Sequence, residues 1–226
     1  MILKQLNFYK HELEPYSCKL IPISKTKPDS LILEAYETGN KVFGENKVQE
    51  LVGKYESLPK DIEWHYVGHL QRNKVKFIAP FVSLIHAVDS VRLLIAINKE
   101  GIKNNRVINC LLQVHIARES AKFGFSKEEL VDLIESTEWQ ALSHVNVMGL
   151  MGMATNTTNE AQIIDEFKFL AGIKSLLSER DLPLNVQMNE LSMGMSNDYK
   201  IALEEGSTMI RIGTDIFGTR INKENE

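Results

Sequence analysis

Lys19-Leu20-Ile21-Pro22-Ile23-Ser24-Lys25 is an apolar run closed by a lysine, the first of eight such short runs in a chain of 226 residues. The last reads Thr208-Met209-Ile210-Arg211-Ile212 and ends in Gly213-Thr214. Working outward from residues 20–24, further strands are expected at 41–43, 64–67, 82–88, 107–116, 145–151, 186–191 and 208–212. Residues 107–116 form the longest continuous apolar run, which reads as a strand buried on both faces. Helical stretches fall between them, at 28–36, 45–57, 90–99, 127–136 behind a capping Ser126, 160–179 and 197–205. Alternation of this kind means an α/β fold with a parallel sheet. An open, doubly wound sheet is the main rival. Eight strands, the last close to the carboxyl terminus, favour a closed (β/α)8 TIM barrel. Residues 1–14, with Leu3, Leu6, Phe8 and Leu13 among polar neighbours, suit an extra amino-terminal helix. No linker, charge block or compositional shift divides the chain, so one domain over 1–226 is expected.

Composition narrows the classes of function. Lys and Arg number 26 against 30 Asp and Glu, a balance of -4, so bulk charge does not call for nucleic acid. No apolar stretch approaches the roughly 20 residues that span a bilayer, and the amino terminus lacks the continuous apolar region of a signal peptide. A cytoplasmic protein is expected, with no membrane partner. Cys18 and Cys110 lie beside apolar residues and far apart, which reads as two buried thiols rather than a disulfide.

A parallel barrel gathers the carboxyl ends of its strands on one face, and that face carries chemistry. The loops after strands seven and eight are where barrels often hold phosphate. Here they read Leu191-Ser192-Met193-Gly194-Met195-Ser196-Asn197-Asp198 and Arg211-Ile212-Gly213-Thr214, each a glycine beside hydroxyls. Free backbone N–H groups and small residues at both places suit a dianion, against the plainer reading of turn glycines and capping hydroxyls. Lys25 closes the first strand, where an amine can attack a carbonyl. Lys27, two residues on, is either a second cation beside it or a solvated residue. The plain alternative is that Lys25 snorkels to water at the barrel mouth. Asn46 follows Phe43-Gly44-Glu45, and Gly44 permits the close approach that would let Asn46 bond a planar ligand. His65 and His69 are four apart but lack carboxylate or cysteine partners at metal-ligand spacing, so they read as packing or ligand-contact residues.

These residues also carry a resemblance. Ile23-Ser24-Lys25-Thr26-Lys27-Pro28, Phe43-Gly44-Glu45-Asn46, Trp64-His65-Tyr66-Val67-Gly68-His69-Leu70-Gln71, Gly149-Leu150-Met151, Leu191-Ser192-Met193-Gly194-Met195-Ser196 and Arg211-Ile212-Gly213-Thr214 resemble the pyridoxal phosphate homeostasis protein family. This is the single-domain relative of the amino-terminal barrel of alanine racemase. The resemblance runs in order from about Leu20 to Arg220. It implies a barrel of the alanine racemase type that holds pyridoxal 5'-phosphate as an aldimine on Lys25. It further implies ring contacts from Asn46 and Arg211, and phosphate contacts from Ser192, Ser196, Gly213 and Thr214. Two positions depart from the family pattern: Lys47 stands where an aromatic residue is frequent, and His115 stands in strand five where Asn is common.

Arg211 bears on what such a cofactor does. Arginine has five donors and no acceptor, so beside the pyridine nitrogen it only donates, and that nitrogen stays unprotonated. An unprotonated ring is a poorer electron sink than one held protonated by a carboxylate. Racemisation then needs two acid–base groups on opposite faces. In alanine racemase the second is a tyrosine from a carboxy-terminal domain, which is expected to be missing here. The expected function is therefore storage and delivery of the cofactor in intracellular vitamin B6 balance, by a non-catalytic monomer, with apo-enzymes that use the cofactor as candidate recipients. The alternatives are an amino-acid racemase that draws its second group from His69, Tyr66 or another pocket residue, and a cofactor-free barrel aldolase acting through Lys25 on a phosphorylated sugar.

Overall fold

The chain enters the fold through α1 (Ile2–Leu13), which turns Ile2, Leu6, Tyr9 and Leu13 into the core. Their spacing places all four on one helical stripe. The computed structural model describes residues 1–118 and 123–219. Arg220 and the close of the expected 1–226 domain lie outside the described residues.

Strand and helix then alternate as β1 (Lys19–Pro22), α2 (Asp29–Glu37), β2 (Val42–Glu45), α3 (Val48–Ser57), β3 (Glu63–Tyr66), α4 (Val75–Ile78), β4 (Leu84–Val88) and α5 (Val91–Lys103). They continue as β5 (Ile108–Gln113), α6 (Lys127–Glu135), β6 (Val145–Met151), α7 (Glu160–Ser178), β7 (Val186–Met195), α8 (Tyr199–Glu204), β8 (Met209–Ile212) and α9 (Thr214–Phe217). Ser126 caps α6 in a reciprocal box with Glu129, and Ser90 caps α5 through Leu93 N–H.

The eight strands form one sheet in which β2 to β8 pair in sequence order, and β1 pairs with β8, all of them parallel. A doubly wound sheet would keep two free edges. Here the remaining gap closes through a single bridge from Ile23 to Gly44, with Ser24 N–H donating to Gly44 O at 2.9 Å. That seam is tight: a Cβ on Gly44 would stand 2.4 Å from Ile23 Cδ1. The glycine therefore serves strand-to-strand approach rather than approach of a ligand. Ile21, Ile23, Leu84, Ala87, Leu111, Met151 and Met209 form one buried cluster, while a larger cluster joins the strands to the surrounding helices. No helix among the described residues is long and apolar enough to cross a membrane.

Several boundaries differ from the sequence reading, each for a local reason. β2 runs on through Glu45, which pairs with Tyr66, so α3 starts at Val48 rather than at residue 45. β5 stops at Gln113, because Val114 bridges to Phe125 instead, and His115 stands beyond the strand with its N–H on Phe125 O at 3.0 Å. β7 extends to Met195, so Ser192 is a strand residue and not part of a loop. Cys110 is buried as expected, but Cys18 is only half-buried; both thiols are free.

Candidate functional site

A cavity of about 600 Å³ opens at the carboxyl ends of the strands, and Lys25, Asn46, Ser196, Arg211, Gly213 and Thr214 all line it. Six of the seven residues expected at the site thus meet in one place. Ser192 is the exception.

Lys25 leaves β1 between two anchored neighbours. Ser24 is fully buried; its hydroxyl donates to Glu45 Oε1 at 3.2 Å, and its carbonyl accepts from Lys54 Nζ at 2.7 Å. Thr26 lies in the left-handed region at φ +62°, and its N–H donates to Glu50 Oε2 at 2.6 Å. Between them the Lys25 side chain is half-buried, and its amine has no hydrogen-bond or ion-pair partner among the described residues. Lys27 is neither a solvated residue nor a second cation at the cavity. It is buried and donates to Gly218 O at 2.8 Å and to Thr219 O at 2.6 Å, which pins the chain after α9; burial pulls its pKa down.

Asn46 closes β2. Its N–H donates to Glu45 Oε2 at 2.9 Å, and its carbonyl accepts from the Tyr66 hydroxyl at 3.2 Å. Its Oδ1 is buried without any partner. A buried amide oxygen left unpaired is costly, and a ligand in the cavity is the available donor. Tyr66 also donates to His69 O at 3.1 Å, and burial, with Glu45 adding to it, pushes its hydroxyl up to about 12. Tyr66 is thus a backbone clamp off the cavity wall, unsuited to the acid–base role that the racemase alternative requires of it.

His69 does line the cavity, with Nδ1 3.0 Å from Asp89 Oδ2 and its ring stacked 4.1 Å from Phe123. His65 points elsewhere. Its Nδ1 lies 3.0 Å from Nε2 of His86 inside the barrel, so the two histidines do not form a metal pair. No group of three or more metal-binding side chains exists among the described residues.

Arg211 is buried, with Nη1 donating to Ser192 Oγ at 2.7 Å and Nη2 to Gly152 O at 3.2 Å. Ser192 Oγ lies 2.9 Å from His86 Nδ1 on its other side. The hydroxyl expected on a phosphate is therefore spent inside the barrel, fully buried and away from the cavity wall. Burial lowers Arg211 to about 10, with the Asp198 carboxylate opposing the shift. A buried guanidinium at the cavity wall favours an electron-rich ligand beside it.

The other end of the cavity is made by chain turns. Gly194 sits at φ +94°, where a Cβ would meet that of Ala202 at 2.6 Å, so only glycine turns the end of β7 here. Asp198 Oδ1 accepts from Met195 N–H at 2.6 Å and holds the turn that presents Ser196. Gly213 and Thr214 start α9 on the neighbouring strand, and the first N–H groups of such a turn have no partner within the helix. Chemically, the cavity combines an amine that can bond a carbonyl carbon with hydroxyls and backbone N–H groups that suit a phosphate.

Glu45, Glu50, Lys54 and His86 support this site and were not singled out from the sequence. Lys54 had a signal: it follows Val48 and Leu51 on the buried face of α3, a lysine in a core position. His86 sits in the fully buried strand Leu84–Val88, a polar residue with apolar neighbours on both sides.

Residues 4–221 match the family model of the alanine racemase N-terminal domain. The pyridoxal phosphate homeostasis protein of Aquifex aeolicus strain VF5 is 43% identical over 203 residues, spanning 89% of this chain and 87% of that one. The protein of the same name from Mus musculus is 37% identical over 213 residues, spanning 89% and 77%. Among solved structures, PipY of Synechococcus elongatus PCC7942 with PLP bound superposes with a TM-score of 0.85 at 33% identity, over 96% of this chain and 100% of that one. With its closed barrel, and with relatives matched over most of their length, the chain belongs to the pyridoxal phosphate homeostasis protein family, a branch of the alanine racemase N-terminal domain family.

Proposed function

We propose that this protein binds pyridoxal 5'-phosphate, covalently through Nζ of Lys25, and acts in vitamin B6 homeostasis as a store and donor of the cofactor rather than as a catalyst. The single observation that carries the reading is the set of unmet groups around one cavity. The Lys25 amine is without a partner among the described residues, Asn46 Oδ1 is buried and orphaned, and the buried Arg211 guanidinium stands at the cavity wall. A phosphorylated aromatic aldehyde answers all three. The solved relative with PLP bound supports it.

In this reading Lys25 Nζ bonds the aldehyde carbon, and water leaves. Asn46 and Arg211 contact the ring, while Ser196, Gly213 and Thr214 hold the phosphate. Ser192 acts at one remove, by fixing Arg211. Bound cofactor supplies an electron-withdrawing ring conjugated to the bonded carbon. Arg211 has donors only, so it leaves the ring nitrogen without a proton and keeps that ring a weak electron sink. A cytoplasmic, single-domain monomer that passes cofactor to apo-enzymes completes the proposal.

The second reading, weak amino-acid racemisation, draws on His69, which lines the cavity and is oriented by Asp89. Two measurements separate the readings. Purified protein should be yellow, lose its visible absorbance in Lys25→Ala, and after borohydride treatment carry a pyridoxyl mass on Lys25. A colourless cofactor-saturated protein, or an adduct on another residue, overturns the carrier and racemase readings together. Turnover of L-alanine or other L-amino acids to D-isomers on the order of 1–1000 per second would make it an enzyme and end the carrier reading.

A further inference from the structure

The β1–β2 seam has the fewest aligned residue pairs of any joint of the barrel among the described residues, and it adjoins the site. One bridge closes it, from Ile23 to Gly44, whereas β5 and β6 share six aligned residue pairs. Lys25 and Asn46 stand immediately beyond that bridge on its two sides. Across the seam lies a buried charge cluster from β2 and α3. Glu45 is fully buried and ion-paired to Lys54, itself almost fully buried, and Lys54 Nζ also lies 3.7 Å from Glu50 Oε2.

What this cluster touches is specific. Lys54 Nζ donates to the carbonyl of Ser24, the residue before Lys25, at 2.7 Å. Glu50 Oε2 accepts the N–H of Thr26, the residue after Lys25, at 2.6 Å. Thr26 occupies the left-handed region at φ +62°, a conformation that a non-glycine residue keeps only when its surroundings impose it. The backbone is thus tied on both sides of position 25, while the amine of Lys25 itself is left free. A buried ion pair gives no special stability over an apolar pair of the same volume, so stability alone does not account for this one.

We infer that Glu50 and Lys54 are positioning residues for Lys25: from α3 they fix the backbone on either side of it, so that its amine reaches the aldehyde carbon of the ligand. This rests on the reading that Lys25 bonds pyridoxal 5'-phosphate. Neither residue lines the cavity, so neither meets the ligand directly.

The test compares two ligands on the full chain. Pyridoxal 5'-phosphate uses the ring, phosphate and amine contacts; pyridoxine 5'-phosphate carries an alcohol in place of the aldehyde and cannot bond the amine. Glu50→Ala is expected to raise Kd for the aldehyde by on the order of 10-fold or more, and to leave Kd for the alcohol within about 2-fold. Glu50→Gln keeps an acceptor oxygen for Thr26 and should recover most of the loss. The double variant Glu45→Gln with Lys54→Met leaves no buried charge alone and should show the same selective loss, which carries the test if Glu50→Ala does not fold. Equal weakening of both ligands would mean general loosening, and no change would mean no coupling; either result overturns the inference. Absence of a borohydride-stable adduct on Lys25 in the unaltered protein is a different failure, that of the underlying reading, and the positioning role falls with it.

Discussion

The Ser192 hydroxyl accepts a hydrogen bond from Arg211 Nη1 at 2.7 Å, fully buried between that guanidinium and His86. From His86 the chain of polar groups continues to His65 at 3.0 Å. Four buried polar side chains thus form one connected chain of hydrogen-bonding groups. Arg211 is held from beneath by this chain, while its upper side faces the cavity.

Ser192→Ala removes a partner from Arg211 and another from His86 at once. An unpaired buried polar group costs about 1–3 kcal/mol, so the melting temperature should fall by roughly 2–12 °C for a chain of this size. Inorganic phosphate should compete with the cofactor as well as it does in the unaltered protein, because Ser192 does not reach the phosphate end. A loss of phosphate competition in this variant would restore Ser192 to the phosphate site.

Stability should fall with acid well before the carboxylates titrate. Burial, with Lys19 adding and Glu190 opposing, lowers His65 from 6.5 to about 4; burial, His65 and Arg211 together hold His86 well below the usual value. Both are neutral in the fold, so between 6.5 and about 4 the unfolded chain binds more protons than the native one. Stability therefore decreases as pH drops through that window, by about 3 kcal/mol for His65 alone. Urea midpoints at several pH values check this. A flat profile over the window would contradict the buried, neutral pair.

Lys54→Met alone leaves the Glu45 carboxylate buried and unpaired. The expected cost is about 3–5 kcal/mol. Adding Glu45→Gln should return most of it, since neither buried charge then remains. Thermal unfolding of the two variants side by side decides the matter; a double variant as unstable as the single one would show that packing, not charge, holds α3 on the seam.

Gly194→Ala places a Cβ at φ +94° and within 2.6 Å of the Cβ of Ala202. Strain of this kind costs about 1–3 kcal/mol. Because the same turn presents Ser196, phosphate-dependent binding should weaken along with stability. Unchanged binding would separate the turn from the phosphate end.

Much of the fold was legible because the chain repeats one signal. The strand expected at 145–151 has the bounds of β6, and Ser126, expected as a cap, caps α6. Strand ends were harder. Glu45 reads as the start of a helix and Ser192 as a loop residue, yet they continue β2 and β7; their polar atoms find buried partners, at Lys54 and Arg211. Lys27 looks solvated for the same reason, but its ammonium reaches two carbonyls almost two hundred positions further along the chain.

The order of residues determined the alternation of strand and helix, the face on which strand ends gather, and six residues of the cavity lining out of seven expected there, because each depends on local periodicity or on motif. Only the folded chain decided which polar groups are partnered. Hydrogen bonds and ion pairs in a low-dielectric interior form between residues far apart in sequence, and their energy depends on distances of a few tenths of an ångström. That is why the pairing of Lys54 with Glu45, the turning inward of Ser192 and the unpartnered oxygen of Asn46 belong to tertiary structure alone.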